Sequence, residues 1–356
     1  MKKYAGLFVF LLIIYATLLA ADPAARSAYN HFNLARRVGM EGIVCVGAGL
    51  LIITGGIDLS LGSVVGFSVA LAVTLMRRDD YGWQPLPAML VVILTGGLIG
   101  ALNGFLVTKV RVQAFVVTLC GMFIYRGLTK WMTGDQVQGL SGQMQHVPAW
   151  DAWTRALYSS RDVWGLLKPV NYLLAHAGIE PIAIPVSLVL FLVVVVAAAL
   201  FLHFSVYGRY FFAIGSNEQA ARYSGVNTDL YKILAYVLCS MSAAVYGILH
   251  VMQAQSATPT QDGANLELKA IAGAVLGGCS VRGGEGNVIG IVIGTTILVL
   301  LPNLSLMLGI PDFMEFIVIG GALLIGAILD ESLRSGQRVS PSLVLRVIRA
   351  IVSLGR

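Results

Sequence analysis

Residues 53–66 read ITGGIDLSLGSVVG, where one acidic residue, Asp58, lies among glycines, serines and aliphatic residues. Long apolar runs flank this stretch on both sides. In water such an acid would be unremarkable, but ionisable groups at membrane depth usually face a water-filled path or the protein interior. The first question is therefore which solvent surrounds the chain.

The composition indicates that this solvent is lipid. The chain has 356 residues, of which 57% are hydrophobic and 12% are charged, and its mean hydropathy is +0.81. A soluble domain carries about 25% charged residues, so this chain has too little charge to cover a globule in water. We expect an integral protein of the lipid bilayer. The net charge of +6 predicts no nucleic-acid partner, because basic residues in membrane proteins report loop orientation.

Residues that carry chemistry form no recognisable pattern. The five histidines are scattered, without an H-E-x-x-H motif, and the sequence contains no G-x-x-x-x-G-K-[ST] motif. The four cysteines lie inside apolar runs without a C-x-x-C pair, which indicates packing roles; they are Cys45, Cys120, Cys239 and Cys279. We expect no catalytic residues, no metal site and no cofactor, and a protein that is not an enzyme.

Apolar runs long enough to cross a bilayer recur along the chain. A helical span needs roughly 20 apolar residues. Such runs lie at about 4–21, 39–54, 58–76, 86–108, 112–132, 182–204, 229–252, 286–301 and 312–330. A short glycine-rich run at 265–280 is either a tenth span or a pair of half-helices. The expected fold is an all-α polytopic membrane protein of about ten transmembrane helices, with nine as the alternative, in a single domain over 1–356.

Basic residues in short loops predict the orientation. Lys2 and Lys3 place the N-terminus in the cytoplasm, and the basic loops 109–111, 205–228 and 281–285 then fall on the same side. The C-terminus is cytoplasmic by the same count.

Two features complicate this topology. Arg26, Arg36 and Arg37 fall in an extracytoplasmic loop and run against the positive-inside rule. The first run, 4–21, also has the pattern of a signal peptide. A retained first span is favoured, because many spans follow.

Two further segments are expected outside the bilayer core. The extracytoplasmic loop 133–181 carries three of the four tryptophans found between Trp131 and Trp164. It is either an interfacial anchor or a docking platform for an extracytoplasmic partner, with equal weight. The tail 340–356 mixes arginines with aliphatic residues, so it is expected to lie on the inner membrane surface as an amphipathic basic segment.

Polar residues around Asp58 are candidates for a translocation path. We expect Asp58 to be chiefly the N-cap of the helix that follows, since a carboxylate accepts the free backbone N–H groups there. The capped helix can still line a path. The candidate path residues are Thr54, Asp58, Ser60, Ser63 and Asn103.

The most informative polar segment, AIGSNEQAARYSGVNT, spans 213–228. Ser216 and Gln219 have the spacing of a capping box, and Gly225 suits the position just after a helix. A helix of about eight residues, only ~12 Å long, is marginal in water by itself. It either lies on its own protein or docks into a cytoplasmic partner.

A glycine-rich stretch, AIAGAVLGGCSVRGGEGNVIG, spans 270–290. It follows no strand, so we interpret it as a flexible bend between two helices and not as a phosphate-binding loop. The hinge candidates are Gly277, Gly278, Gly283, Gly284 and Gly286. Its loose similarity to 53–66 indicates a duplicated architecture.

These three stretches, in this order and spacing, resemble the ribose/xylose/arabinose-type permeases of bacterial ABC importers over about 35–330. The resemblance implies a multi-pass subunit of the bacterial cytoplasmic (inner) membrane, paired with a second permease copy, an ATP-binding cassette subunit and a periplasmic sugar-binding protein. It also implies that a cytoplasmic coupling helix at 216–225 contacts the ATPase. Its residues would be Ser216, Asn217, Glu218, Gln219, Ala220, Ala221, Arg222, Tyr223 and Gly225. The loop 133–181 is longer than the resemblance leads us to expect.

The expected function is inward transport of a monosaccharide by alternating access, powered by ATP hydrolysed on a partner chain. The alternative is an ion-coupled secondary transporter, which would carry ionisable groups deep in several spans. The candidates Asp58, Glu267, Lys269 and Glu315 are mostly expected near span ends, which favours the importer.

Overall fold

The computed structural model describes residues 2–77, 79–140 and 184–311, with isolated positions at 150, 154, 314, 317, 320, 321 and 324. Most of the predicted loop 133–181, the last run 312–330 apart from five positions, and the whole tail 340–356 lie outside the described residues.

Helices make up most of the described chain. In order they are α1 (Lys2–Ala21), α2 (Ala28–Ile53), α3 (Leu61–Met76), α4 (Pro85–Thr108), α5 (Ala114–Thr133), α6 (Val186–Ala199), α7 (Val206–Ser216), α8 (Glu218–Tyr223), α9 (Thr228–Ala254), α10 (Leu266–Leu276) and α11 (Val288–Met307). A 3-10 turn, Pro23–Arg26, precedes α2, and a π-helical turn, Leu200–Phe204, continues α6. Strands β1 (Gln138–Gly139) and β2 (Ser256–Ala257) form an antiparallel pair.

Among the described helices, four are long and apolar enough to cross a membrane: α4, α6 with its π-helical turn, α9 and α11. The chain is therefore a multi-pass membrane protein. Their positions agree with the runs expected from the sequence to within a few residues, except that α11 continues to Met307. The total of ten spans and the placement of the termini stay predictions.

Helix α2 begins well before the expected run at 39–54. Ser27 caps it, since the Ser27 hydroxyl accepts a hydrogen bond of 3.2 Å from Asn30 N. Arg37 and Glu41 form an i,i+4 pair at 3.6 Å within the helix. The expectation that Arg36 and Arg37 lie in a loop is wrong, because a local cap starts the helix ahead of the apolar run.

Helices α2 and α9 form the centre of the molecule. Helix α9 packs against α4, α2 and α3, while α2 also packs against α6, α10 and α11. Three glycines of α4 at four-residue spacing face α9: Gly96, Gly100 and Gly104. A Cβ atom on Gly100 would stand 2.7 Å from Val237 Cα, and one on Gly104 would stand 2.8 Å from Ile233 Cα. Small residues allow this close backbone approach in lipid.

Helices α3 and α10 are too short to cross a bilayer alone. Their 16 and 11 residues correspond to about 24 and 16 Å, less than the ~30 Å hydrocarbon core. Their N-terminal ends meet: a Cβ atom on Gly62 would stand 3.3 Å from Glu267 Cδ and would collide with the Gly263 carbonyl oxygen. The run 265–280 therefore contains a half-length helix and not a full span.

Candidate functional site

A chain of hydrogen bonds crosses three helices at the start of α3. Ser60 Oγ donates to Asp58 Oδ1 at 2.6 Å, Asn103 Nδ2 donates to Ser60 Oγ at 3.1 Å, and Tyr125 OH donates to Asn103 Oδ1 at 2.9 Å. All four side chains are buried, with at most 6% of their surface exposed. We call Asp58, Ser60, Asn103 and Tyr125 the polar centre.

Asp58 contacts the head of α3 but is not its N-cap. The helix starts at Leu61 with Ser60 as the N-cap residue, and the Ser60 side chain makes no cap bond. Asp58 Oδ1 instead accepts a 2.8 Å bond from Ser60 N in addition to the hydroxyl bond. The predicted N-cap role is wrong by two residues, because the carboxylate organises the turn before the helix. Asp58 Oδ2 is buried and has no hydrogen-bond partner among the described residues.

The other predicted path residues divide into two groups. Asn103 and Ser60 join Asp58 in the polar centre, whereas Thr54 ends α2 and donates its hydroxyl to Leu51 O at 2.7 Å. Ser63 is buried one turn into α3. Tyr125 was not predicted, since nothing in the apolar run 112–132 distinguishes a tyrosine that faces α4 from one that faces lipid.

The polar centre lies inside the bundle. Asn103 precedes the end of α4 at Thr108 by about 8 Å, at 1.5 Å per residue. Tyr125 follows the start of α5 at Ala114 by about 16 Å on the same scale. Because the short loop between Thr108 and Ala114 joins these two ends, the polar centre lies about 8–16 Å inward from the side that carries Lys109 and Arg111.

A second group of polar residues fixes the position of the segment between α9 and α10. Arg126 donates to the carbonyl oxygens of Pro259 and Asp262 at 2.9 and 2.8 Å. The Asp262 carboxylate accepts a 2.6 Å bond from Thr258 N and lies 3.1 Å from His250 Nε2. These bonds hold the segment between α9 and α10 against α5 and α9, beside the first turns of α3.

Asp58 is buried in the bundle, and Glu267 is partly buried there. Glu267 is in the first turn of α10 and contacts Gly62. Both residues lie near helix ends, since Asp58 precedes the first residue of α3 by three positions and Glu267 is the second residue of α10; these two helix ends lie inside the bundle. Glu315 lies outside the described residues.

The segment 213–228 forms a helix that begins one residue later than expected. Ser216 ends α7, and Asn217 caps α8, its Oδ1 accepting a 2.9 Å bond from Ala220 N. The predicted capping box between Ser216 and Gln219 is therefore wrong, and α8 has six residues where about eight were expected. The reason is that α7 packs onward through Ser216, so the chain turns at Asn217.

The end of α8 agrees with the sequence. Gly225 has φ +85, and its N–H donates to Arg222 O at 3.0 Å while Val226 N donates to Ala221 O at 3.1 Å. This pair of bonds is the Schellman motif, in which a left-handed glycine closes a helix. The predicted position of Gly225 is confirmed.

Ion pairs attach α8 to the neighbouring helix and loop. Lys232 pairs with Glu218 at 2.7 Å, and Asp229 pairs with both Arg222 and Lys109 at 2.8 Å. A cavity of about 460 Å³ opens beside these pairs. Its lining includes Val107, Thr108, Arg111, Gln219 and Tyr223.

Two side chains of α8 have opposite environments. Ala221 is buried against the protein, whereas 90% of the Tyr223 surface is exposed. Helix α8 therefore packs on its own protein through one face and presents an aromatic side chain on the other.

The glycine-rich stretch forms the turn between α10 and α11. Gly278 has φ +89 and closes α10: Gly278 N donates to Val275 O at 2.8 Å and Cys279 N to Ala274 O at 3.0 Å. Gly277 packs on α11, since a Cβ atom there would stand 2.7 Å from Ile291 N. The flexibility of this bend stays a prediction.

The other three hinge candidates contact separate parts of the chain. A Cβ atom on Gly286 would stand 2.7 Å from Ile53 Cγ1. Gly283 approaches the backbone of both Gly55 and Gly215, and Gly284 approaches the backbone of Gly215. We call Gly55, Gly215, Gly283 and Gly284 the glycine junction.

Comparison with known proteins identifies the family of this chain. Residues 30–328 match the family described as branched-chain amino acid transport system / permease component. The match covers well over half of the chain, so the chain belongs to this permease family. No solved structure matches the chain significantly.

Several relatives carry names of transport permeases. The chain is 33% identical to the ribose import permease protein RbsC of Escherichia coli K12, over 91% of this chain and 92% of that protein. It is 32% identical to RbsC of Bacillus subtilis, over 92% and 91%. It is 30% identical to the xylose transport system permease protein XylH of Haemophilus influenzae, over 93% and 96%. The resemblance to ribose- and xylose-type permeases is confirmed.

Proposed function

We propose that this chain is the permease subunit of an ATP-driven importer that moves a monosaccharide across the bacterial cytoplasmic membrane. Full-length similarity to permeases named for ribose and xylose import supports this proposal most directly. The partners are an ATP-binding cassette subunit, a periplasmic sugar-binding protein and a second copy of the permease. Ten membrane segments, of which α10 is a half-length helix, with both termini in the cytoplasm, complete the proposed topology.

The polar centre suits a neutral hydroxylated solute. It combines a hydroxyl, an amide and a phenol with one carboxylate, and these groups both donate and accept hydrogen bonds. Asp58 Oδ2, buried without a partner among the described residues, is available as an acceptor. The same side chains are buried in this structure, so a solute reaches them only when the helices around α3 separate, as alternating access requires.

Helix α8 suits a docking element for the ATPase. It is short, capped at its start by the Asn217 side chain and at its end by backbone hydrogen bonds, and joined to the start of α9 by ion pairs. Its exposed Tyr223 is the kind of residue that anchors protein interfaces, where tyrosine and arginine are enriched.

Ion-coupled transport is the second candidate, because Asp58 and Glu267 lie inside the bundle and Arg126 lies close to Glu267. Intramembrane acids of this kind serve as coupling sites in secondary transporters. Glu267→Gln separates the two functions. It should leave the dependence on ATP intact in an importer, and it should abolish gradient-driven uptake in a secondary transporter.

Assembly with an ATPase tests the proposal. The chain, expressed with the ATPase and binding protein encoded beside it, should copurify with the ATPase in detergent. Sugar-loaded binding protein should then stimulate ATP hydrolysis in nanodiscs, and unloaded binding protein should stimulate it less. A permease that copurifies with no ATPase, or an ATPase that is indifferent to loaded binding protein, would contradict the proposal.

A further inference from the structure

We propose that the glycine junction is a positioning contact that links the coupling helix α8 to the polar centre. Its backbone contacts would transmit movement of α8 to the segment that carries Asp58. This inference rests on the proposed function, since it gives the route by which an ATPase bound at α8 reaches the path. The contributing residues are Gly55, Gly215, Gly283 and Gly284.

The junction joins three segments that are far apart in sequence. Gly284 N donates a 2.9 Å hydrogen bond to Ile53 O, which connects the α10–α11 turn to the end of α2. A Cβ atom on Gly283 would stand 2.9 Å from both Gly55 Cα and Gly215 Cα. The ends of α2 and α7 and the α10–α11 turn therefore meet at one point.

A side chain does not fit at three of the four junction positions, Gly215, Gly283 and Gly284, whereas a Cβ atom on Gly55 would meet only Arg282 O, at 3.8 Å. A Cβ atom on Gly215 would collide with Ile53 O and Gly284 N. One on Gly284 would stand 2.8 Å from Ser216 N and Cα. Real Cβ atoms essentially never approach backbone this closely, so a substitution must move one of the segments.

The backbone conformation also favours glycine at three of these positions, independently of the packing. Gly55, Gly283 and Gly284 have φ values of +81, +87 and +76, a region that costs other residues free energy. Gly215 has no such constraint, since it is helical. Its substitution therefore tests the contact alone, without added strain in φ.

The residues that follow the junction glycines in the sequence indicate the role of the junction. Gly215 lies two residues before Asn217, the cap of α8, and Gly55 lies three residues before Asp58. Side chains can rearrange to absorb a small shift, but directly contacting backbones must move together or separate. Packed interfaces respond to small shifts by switching between arrangements. A displacement of α8 at one end should thus displace the turn that holds Ser60 and Asp58.

The first test uses the full complex in nanodiscs and liposomes with Gly215→Ala. The control is Gly127→Ala, because Gly127 is helical and a Cβ atom there meets no described atom within 4 Å. We expect Gly215→Ala to retain ATPase binding and basal hydrolysis but to lower sugar transported per ATP by about tenfold, within the range of allosteric couplings. The control should match the wild type. Unchanged transport per ATP in an inserted Gly215→Ala complex would overturn the inference.

The second test needs no variant, so it holds even if Gly215→Ala fails to insert. Hydrogen exchange is measured on the wild-type permease with and without the ATPase. We expect binding to slow exchange at 218–223 and also to change it at 53–58 and 280–286. A change confined to 218–223 would overturn the inference and leave the proposed function standing, whereas absence of ATPase binding would count against the proposed function itself.

Discussion

Asn103 Nδ2 donates a 3.1 Å hydrogen bond to Ser60 Oγ, and this bond joins α4 to the start of α3. The bond directs the Ser60 hydroxyl proton toward Asp58 Oδ1, at 2.6 Å. Asp58 is thereby held as an acceptor, with Oδ1 occupied and Oδ2 without a partner in the part of the chain that the structure describes. The hydrogen bonds within the polar centre thus fix the positions of its donors and acceptors.

Replacing Asp58 separates its hydrogen bonds from its charge. Asp58→Asn keeps an oxygen for Ser60 N and Ser60 Oγ, so we expect near-normal uptake. Asp58→Ala leaves both buried donors unpaired, which costs about 1–3 kcal/mol per group, and uptake should fall severely. The measurement is the initial uptake rate, normalised to inserted protein. Equal, severe loss in both variants would show that the carboxylate charge itself is required.

Tyr125→Phe removes the outer end of the same chain of bonds. Asn103 Oδ1 would lose its 2.9 Å donor and remain buried, so the melting temperature of the purified permease should decrease, consistent with a loss of about 1–3 kcal/mol. Tyr81→Phe is the control, because Tyr81 is 66% exposed. A melting temperature as high as that of the control would mean that Tyr125 OH contributes nothing to the polar centre.

The contrast between Asp58 and Gly225 shows what local sequence determines. The end of α8 at Gly225 is closed by two local bonds, from Gly225 N to Arg222 O and from Val226 N to Ala221 O, so the glycine and the local pattern were enough to predict it. The start of α3 depends on bonds from Asn103 and contacts with Gly263, which are remote in sequence. For that reason the apolar run 58–76 predicted the helix but placed its cap at the wrong residue.

The contacts among the three motifs could not be predicted for the same reason. Each motif was recognised separately, but nothing in residues 213–228 indicates that Gly215 touches Gly283 and Ile53. In the sequence, a backbone contact between distant segments is marked only by the glycines at the contact, and glycine also occurs for many other reasons. Likewise, the length of α10 follows from its meeting with α3 inside the bundle, which hydropathy does not report.

Tyr223→Ala tests the docking face of α8. Because Tyr223 is 90% exposed, its truncation should not change the stability of the isolated permease. Affinity for the ATPase should weaken by about 2 kcal/mol if it is an interface anchor, or roughly thirtyfold. Tyr29→Ala is the control: Tyr29 is 69% exposed at the start of α2, so this change should not affect the affinity for the ATPase. Unchanged ATPase affinity in Tyr223→Ala would place the docking surface elsewhere.

Cysteine labelling of intact cells tests the orientation. After replacement of the native cysteines, a membrane-impermeant reagent should label a cysteine placed at Trp153, and should label one at Gln219 only after the cells are opened. The position of Trp153 lies outside the described residues, so this prediction rests on the sequence alone. Labelling of Gln219 from outside would reverse the topology and remove α8 from the ATPase side.

The most direct test of ATP-driven import is uptake into liposomes that contain the permease and its ATPase, with loaded binding protein outside. We predict uptake when ATP is trapped inside, undiminished by a protonophore and a sodium ionophore, and absent when the P-loop lysine of the ATPase is replaced. Uptake driven by an imposed ion gradient without ATP, and abolished by the ionophores, would contradict the account and identify the chain as a secondary transporter.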